Sequence, residues 1–323
     1  MIVTVTANPS IDVTLTVDTL VVGEVNRATS VRRDPAGKGV NVSRALAQNG
    51  IATRAVLPAD AVNGYELERM LAARSIPSVS TIISQAIRTN VTVVDSTGTT
   101  KLNEPGPEVS TAELARLMTL ITEQLTLGPA WLVGSGSLPP GIPNRFYCDL
   151  AELAASFGVP FAVDTSGAAL AETARSGTAS LLKPNLEELE ELVGRELATI
   201  GDVVDAARPF LTMPGSAMLV SLDADGALLV SDTDLWWAGS RPVAPVSTVG
   251  AGDSALAGYL SVTDGAFAAR LGAAVAWGTA AVQLPGSQAP SPADIRPEDV
   301  RLIENPPPTT PLGELTLWLQ PRP

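Results

Sequence analysis

The sequence predicts an α/β fold: a mostly parallel central sheet covered by helices on both faces, with a small separate β-sheet set against it. Three observations lead there. Apolar strand-like runs alternate with longer helical patterns through most of the 323 residues. Two stretches, about 11–33 and 85–104, break that rhythm, because Val and Thr alternate there with polar residues and no helical pattern intervenes. Hydrophobic residues make up 45% and charged residues 17%, the balance of a chain that buries a large core.

In chain order, Met1 to Thr6 alternates as a strand does and carries neither the basic start nor the apolar run of a secretory signal, so a cytoplasmic location is expected. The stretch 11–33 is read as the first part of a small antiparallel lid. Glycine and small polar residues at 37–46 open a helix. Val91 to Thr100 reads as two strands joined by a turn at Gly98, the second part of the lid. Unpaired lid edges invite another strand, so a homodimer through the lid is expected.

Further on, a strand at Trp131 to Val133 leads to a helix around Arg145 to Phe157. A strand at Pro160 to Val163 precedes a helix from Leu186. A strand at Ala217 to Leu222 and a helix after Gly252 continue the series. Leu271 to Leu284 is too short to span a bilayer and holds two glycines, so no membrane partner is expected. The Pro-rich segment Asn305 to Pro311 reads as a terminal connection. With no internal repeat, residues 1–323 are read as one domain with the lid inserted in it.

A formal charge of −13 and a sequence pI near 4.5 oppose a nucleic-acid surface, which draws on clustered Lys and Arg. An anionic substrate would have to be held by a few local cations and backbone amides. Lys38, Lys101 and Lys183 are the lysines among 21 basic residues, and two of them sit in motifs described below. Histidine is absent, which excludes His-assisted nucleophiles and His metal ligands. Cys148 has no second thiol with which to form a disulfide or a zinc site. Chemistry is left to carboxylates, amides and cations.

Three segments could carry it. Ser247 to Ser254 (STVGAGDS) places Gly250, Ala251 and Gly252 at a helix start, where free N–H groups and the helix dipole make an anion hole. Asp253 is then either a base for an attacking hydroxyl or an ordinary first-turn acid. Gly37 to Leu46 (GKGVNVSRAL) offers Lys38 as a point charge and Asn41 as donor and acceptor, although such a turn also serves structure alone. It lacks Walker A spacing. Lys183 to Glu188 (KPNLEE) puts Asn185 and Glu188 on one helix face, able to hold magnesium through water or simply to cap the helix.

Taken in order, these motifs resemble the PfkB-type sugar kinases of the ribokinase superfamily. The resemblance rests on Asn8 to Asp12 (NPSID), AGKGVN at 36–41, Arg88 to Asn90 (RTN), GSLPPG at 136–141, VDTSG at 163–167, KPNLEE at 183–188 and STVGAGDS at 247–254. It implies a ribokinase-like α/β/α sandwich with a β lid, and ATP with Mg2+. The implied partner is a small-molecule sugar phosphate, foremost fructose 1-phosphate converted to the 1,6-bisphosphate, with tagatose 6-phosphate or fructose 6-phosphate as alternatives. It also implies Asp253 as base, with Gly250, Ala251 and Gly252 as anion hole. Asp12, Gly37, Lys38 and Asn41 are implied on the sugar, and Arg88 with Ser137 near its phosphate. Lys183, Asn185, Ser221 and Gly226 are implied on the nucleotide, and Glu188 with Asn185 on the metal.

Two residues depart from the family pattern. Asp223 stands where the family writes glycine in the nucleotide-side loop, which sets an anion and a constrained backbone there. Pro58 replaces another glycine, near Asp60 and Gly64. Two rival readings remain: a kinase of unphosphorylated sugars or nucleosides, and a sugar-phosphate sensor without catalysis. A redox Rossmann enzyme is disfavoured because no GxGxxG follows the first strand.

Overall fold

The computed structural model of the chain describes residues 1–263 and 265–319. The amino-terminal part runs β1 (Ile2–Val5), β2 (Ser10–Thr16), β3 (Ser30–Ala36), α1 (Lys38–Gln48), β4 (Thr53–Ala59), α2 (Asn63–Ala72), β5 (Ser78–Ile82), β6 (Arg88–Val94) and β7 (Thr99–Leu102). Next come α3 (Thr111–Leu125), β8 (Trp131–Ser135), α4 (Phe146–Ser156), β9 (Phe161–Asp164), α5 (Gly167–Ser176), β10 (Leu181–Leu182), α6 (Leu186–Val193) and α7 (Ile200–Ala207). The rest holds β11 (Ala217–Ser221), β12 (Ala227–Ser231), β13 (Leu235–Ser240), α8 (Ala251–Ser261), α9 (Phe267–Val282) and β14 (Val300–Glu304).

Among the described residues, ten strands form the large sheet in the order β14-β13-β12-β11-β10-β9-β8-β1-β4-β5. From β11 to β5 all neighbours are parallel, and β12 to β14 are added antiparallel. Alternation along each strand divides the core in two. Leu132 packs with α3 to α7 on one face, while Trp131 and Val133 pack with α1, α8 and α9 on the other. The result is the expected α/β/α layering. The helix over 267–282 has 16 residues, and no helix among the described residues is long and apolar enough to cross a membrane.

The small sheet has the order β3-β2-β6-β7. The antiparallel lid expected from sequence is corrected here: β2 and β6, its central strands, are parallel. Both leave the same edge of the large sheet, after β1 and near β5, and so run in the same direction; β3 and β7 return antiparallel. Alternation of side chains reveals a strand's faces but not its direction. A third cluster, including Ile11, Val13, Val40, Leu57, Leu67 and Ile87, joins the small sheet to α1, α2 and β4.

Pro58 lies in β4 paired with β5, and the neighbouring Asp60 accepts N–H groups of Val62, Asn63, Gly64 and Ile87. That carboxylate starts α2 and ties the entry of β6 to it. The segment after Asn305 reaches a 3-10 turn over Leu312–Leu319, and Leu312 and Leu315 are buried against the core.

Candidate active site

Parallel strands bring their carboxyl ends to one edge, and each sequence motif lies there. The chain turns from β3 into α1 at Gly37, whose φ of 118° is open to glycine and whose Cβ, if present, would press on Thr6. Gly37, with Gly39 whose Cβ would press on Thr6 and the Val5 carbonyl, therefore lets α1 approach the end of β1 closely. The turn delivers Lys38 and Asn41 to the sheet edge.

Lys38 Nζ lies 2.7 Å from Oδ1 of Asp164, the last residue of β9, and Lys183 Nζ lies 2.9 Å from its Oδ2. Asp164 is 1% exposed. Burial works against its charge, but the ammonium groups of Lys183 and Lys38 more than offset that and hold its pKa below the usual value. In return Asp164 raises the pKa of Lys38 despite burial of the ammonium. Asp164 lies within the VDTSG motif, where residue order alone assigns it no role. A carboxylate ending an apolar strand, in a chain with three lysines, was the available signal.

Gly250 begins α8 in the left-handed region at φ 80°. Ala251 N–H turns back to the Thr248 carbonyl at 3.4 Å and Ser254 N–H bonds Gly250 at 2.9 Å. Among the described residues the amides of Gly252 and Asp253 have no main-chain acceptor, as a helix start requires. A Cβ on Gly252 would sit 3.2 Å from Lys183 Nζ, so the missing side chain leaves a cradle between free amides and an ammonium. Its chemistry fits a phosphate group.

Asp253, 7% exposed, borders this cradle. Its Oδ2 accepts Asn41 Nδ2 at 2.8 Å, which joins two motifs more than two hundred residues apart in sequence. Burial first, and then the charge of Asp164, push its pKa up to about 6, against the opposing pull of Lys38, Asn41 and Lys183. A carboxylate so tuned can accept a proton near neutral pH.

On the small sheet, cross-strand register sets Ser10 opposite Arg88 and Asp12 opposite Asn90. Asp12, within β2, accepts Ser10 Oγ at 2.9 Å and Asn90 Nδ2 at 3.0 Å on its Oδ1. Arg88 donates to the carbonyls of Asn8 and Glu104, and Asn8 Nδ2 reaches Ser137 Oγ at 3.3 Å. Three buried atoms here, Arg88 Nε, Asn8 Oδ1 and Asn90 Oδ1, have no partner among the described residues. Asn8 and Asn90 were not singled out as site residues from sequence.

Asn185 and Glu188 form a reciprocal cap on α6: Asn185 Oδ1 accepts Glu188 N–H at 2.7 Å, and Glu188 Oε2 accepts Asn185 N–H at 2.9 Å. Of the two readings given from sequence, the capped helix start is present. Asn185 also bridges Ser221 as a parallel neighbour. Gly226 closes the following turn, where a side chain would collide with the Ala238 carbonyl. Asp223 stands in the left-handed region at φ 51°, the conformation its family glycine would take freely. Among the described residues no cluster of three or more acidic, His or Cys side chains could hold a metal.

Phosphoryl transfer asks a protein mainly for placed charge and a positioned base, so the class defined by this fold and site is a small-molecule kinase. The chain belongs to the pfkB family of carbohydrate kinases, whose model matches residues 3–294. It is thus an ATP-dependent sugar kinase. It is 38% identical to 1-phosphofructokinase of Rhodobacter capsulatus over 264 residues, covering 80% of this chain and 82% of that protein. It is 35% identical to ATP-dependent 6-phosphofructokinase isozyme 2 of Escherichia coli, covering 78% and 82%. The crystal structure of Escherichia coli phosphofructokinase-2 in complex with potassium is similar with a TM-score of 0.84 and 30% identity, over 98% of both chains.

Proposed function

We propose that this chain is a phosphofructokinase that transfers the γ-phosphoryl of ATP to a hydroxyl of a phosphorylated ketohexose, with fructose 1-phosphate as the acceptor and fructose 1,6-bisphosphate as the product. The observation that carries the acceptor class is a set of buried atoms unpartnered among the described residues: Arg88 Nε and Asn90 Oδ1 on the small sheet, and Asn8 Oδ1 in the segment that leads into it. A donor cation next to neutral acceptors suits a phosphate attached to a polyol.

In this reading Asp12, Gly37, Lys38 and Asn41 line the sugar, and Arg88 with Ser137 face its phosphate. Asp253 takes the proton of the acceptor hydroxyl. The free amides at the Gly250–Ala251–Gly252 turn, those of Gly252 and Asp253, meet the negative charge on the transferred group, helped by Lys183. Asn185, Ser221 and Gly226 stand on the nucleotide side. Mg2+ keeps most of its waters and uses few protein ligands, so one carboxylate on a helix start fits it; Glu188, with Asn185 through water, would hold it. When bound, it would neutralise phosphate charge.

The small sheet, from about 11–33 and 85–104 within the single domain 1–323, is read as the lid. Its outer strands β3 and β7 expose Val31 and Leu102, each 61% accessible, and these edges support a homodimer through the lid. A cytoplasmic enzyme fits this chemistry.

The test is ADP release with ATP and a panel of fructose 1-phosphate, fructose 6-phosphate, tagatose 6-phosphate, fructose and ribose, with the product identified by NMR. Highest kcat/KM on fructose 1-phosphate is expected. Preference for an unphosphorylated sugar would reject the acceptor class.

A further inference from the structure

Arg44 belongs to the GKGVNVSRAL segment, and the mechanism above leaves it without a role. It sits one helical turn beyond Asn41 on α1, which puts both on one helix face. Only 8% of it is exposed, yet among the described residues it has no carboxylate at ion-pair distance. Its Nη1 instead lies 3.3 Å from each of three neutral oxygens: the Pro35 carbonyl, Asn41 Oδ1 and Ser287 Oγ. Burying a guanidinium against neutral acceptors is costly, and burial does lower its pKa. Such a group calls for an explanation beyond packing.

The three oxygens come from three working parts. Pro35 lies in β3, where the small sheet returns to the large one. Asn41 donates to Asp253. Ser287 packs on the anion-hole turn, since a Cβ on Gly250 would lie 3.4 Å from the Ser287 Cα.

We propose that Arg44 is a positioning residue that orients the Asn41 amide toward Asp253 and ties that orientation to the base of the small sheet. The proposal rests on the reading of Asp253 as the base. An asparagine amide has an acceptor end and a donor end of nearly equal shape, so its orientation is set by its neighbours. Arg44 can only donate. It therefore claims Oδ1 and leaves Nδ2 for Asp253 Oδ2. With Oδ2 engaged, Oδ1 of Asp253 is the oxygen left for the acceptor hydroxyl. Without Arg44 the amide is free to turn its oxygen toward the carboxylate, which misdirects the base and disfavours its ionised form.

Other charges bear on the pair. Asp253 is faced by Lys38 from α1, Asp164 from β9 and Lys183 from the segment after β10. Arg44 is faced by Asp34 and Arg32 from β3, Asp12 from β2 and Arg74 from the turn after α2. None of these groups sets the direction of a neutral amide as a contacting donor does.

The experiment is a double-mutant cycle with R44M, N41A and the double variant, read as kcat, KM and the pH dependence of kcat/KM. R44M is expected to lose roughly ten- to hundredfold in kcat, and its acid limb to move up by about one pH unit. The double variant is expected to be no slower than N41A. An unmoved acid limb in R44M, or a double variant that loses the product of the two single effects, overturns the proposal. If R44M does not fold, the cycle is run with R44K, which keeps a buried cation but cannot meet three oxygens, and additivity there overturns it equally. D253N separates the two readings. If D253N keeps turnover the base assignment falls, whereas if D253N is inactive and R44M normal only the coupling falls.

Discussion

Lys38 and Lys183 meet on opposite oxygens of one buried carboxylate, Asp164, at 2.7 and 2.9 Å. Two cations at the carboxyl edge of the sheet are thus held close together by a protein anion. Removing that anion leaves two ammonium groups facing each other, that of Lys183 buried and that of Lys38 partly exposed.

Asp164→Asn is therefore expected to destabilise the fold by about 3 to 5 kcal/mol, the usual cost of removing one partner from a buried ion pair. Urea unfolding at pH 7.5 measures it. K38M in the D164N background should recover part of the loss, since one of the two stranded charges is gone. Equal stability of D164N and wild type would show that the lysines are held by other contacts.

Asp253→Asn tests the base. Substrate binding should change little, because the amide still accepts from Asn41 and keeps the shape of the site. Turnover should fall by roughly 10²- to 10⁴-fold or more. Calorimetric titration with fructose 1-phosphate and single-turnover kinetics separate the two quantities.

The raised pKa of Asp253 carries a pH prediction for activity. With a value near 6, the free enzyme carries the base protonated below that pH. The acid limb of kcat/KM should lie near pH 6, with a fall of about tenfold per pH unit well below it. A limb near pH 4 would mean that the carboxylate is solvated in the working enzyme.

The same shift bears on stability. The folded-state value lies above the ordinary 3.8, so the folded protein holds the proton more tightly than the unfolded chain. The stability this contributes is complete below about pH 4 and is lost as pH rises through 6, by up to roughly 3 kcal/mol. D253N should be more stable than wild type at pH 8, and the gap should narrow toward pH 4. Denaturant unfolding at the two pH values reads both.

Asp223→Gly addresses the departure in the nucleotide-side loop. Glycine adopts the φ of 51° without strain and removes a carboxylate from the loop. Relief of strain on the order of 1 kcal/mol offsets the added freedom of the unfolded chain, so stability should change little. KM for ATP should fall while kcat on the sugar phosphate is retained. An unchanged KM would place Asp223 out of reach of the nucleotide's charge.

The alternation of strand and helix, the two stretches that interrupt it, and the helix starts at Lys38, Leu186 and Ala251 were all legible, because periodicity and glycine placement are local properties of a chain. The direction of β2 against β6 was not, since the same alternation serves either direction. Asp164 was passed over because nothing in a short apolar run ending in Asp tells which cations will face it. Asn8 and Asn90 were missed for a similar reason: a buried asparagine oxygen without a partner among the described residues is recognisable only when its surroundings are known.

Residue order by itself determined which chemistry was available: a histidine-free, acidic chain with glycine-rich helix starts and a few retained lysines. It also determined the family, through motifs kept in sequence. Tertiary structure alone decided that Asn41 donates to Asp253, that Asp164 binds two lysines and that Arg44 lies buried among three oxygens. Contacts of that kind join residues far apart along the chain, and their strength comes from shared burial, which no local stretch of sequence possesses.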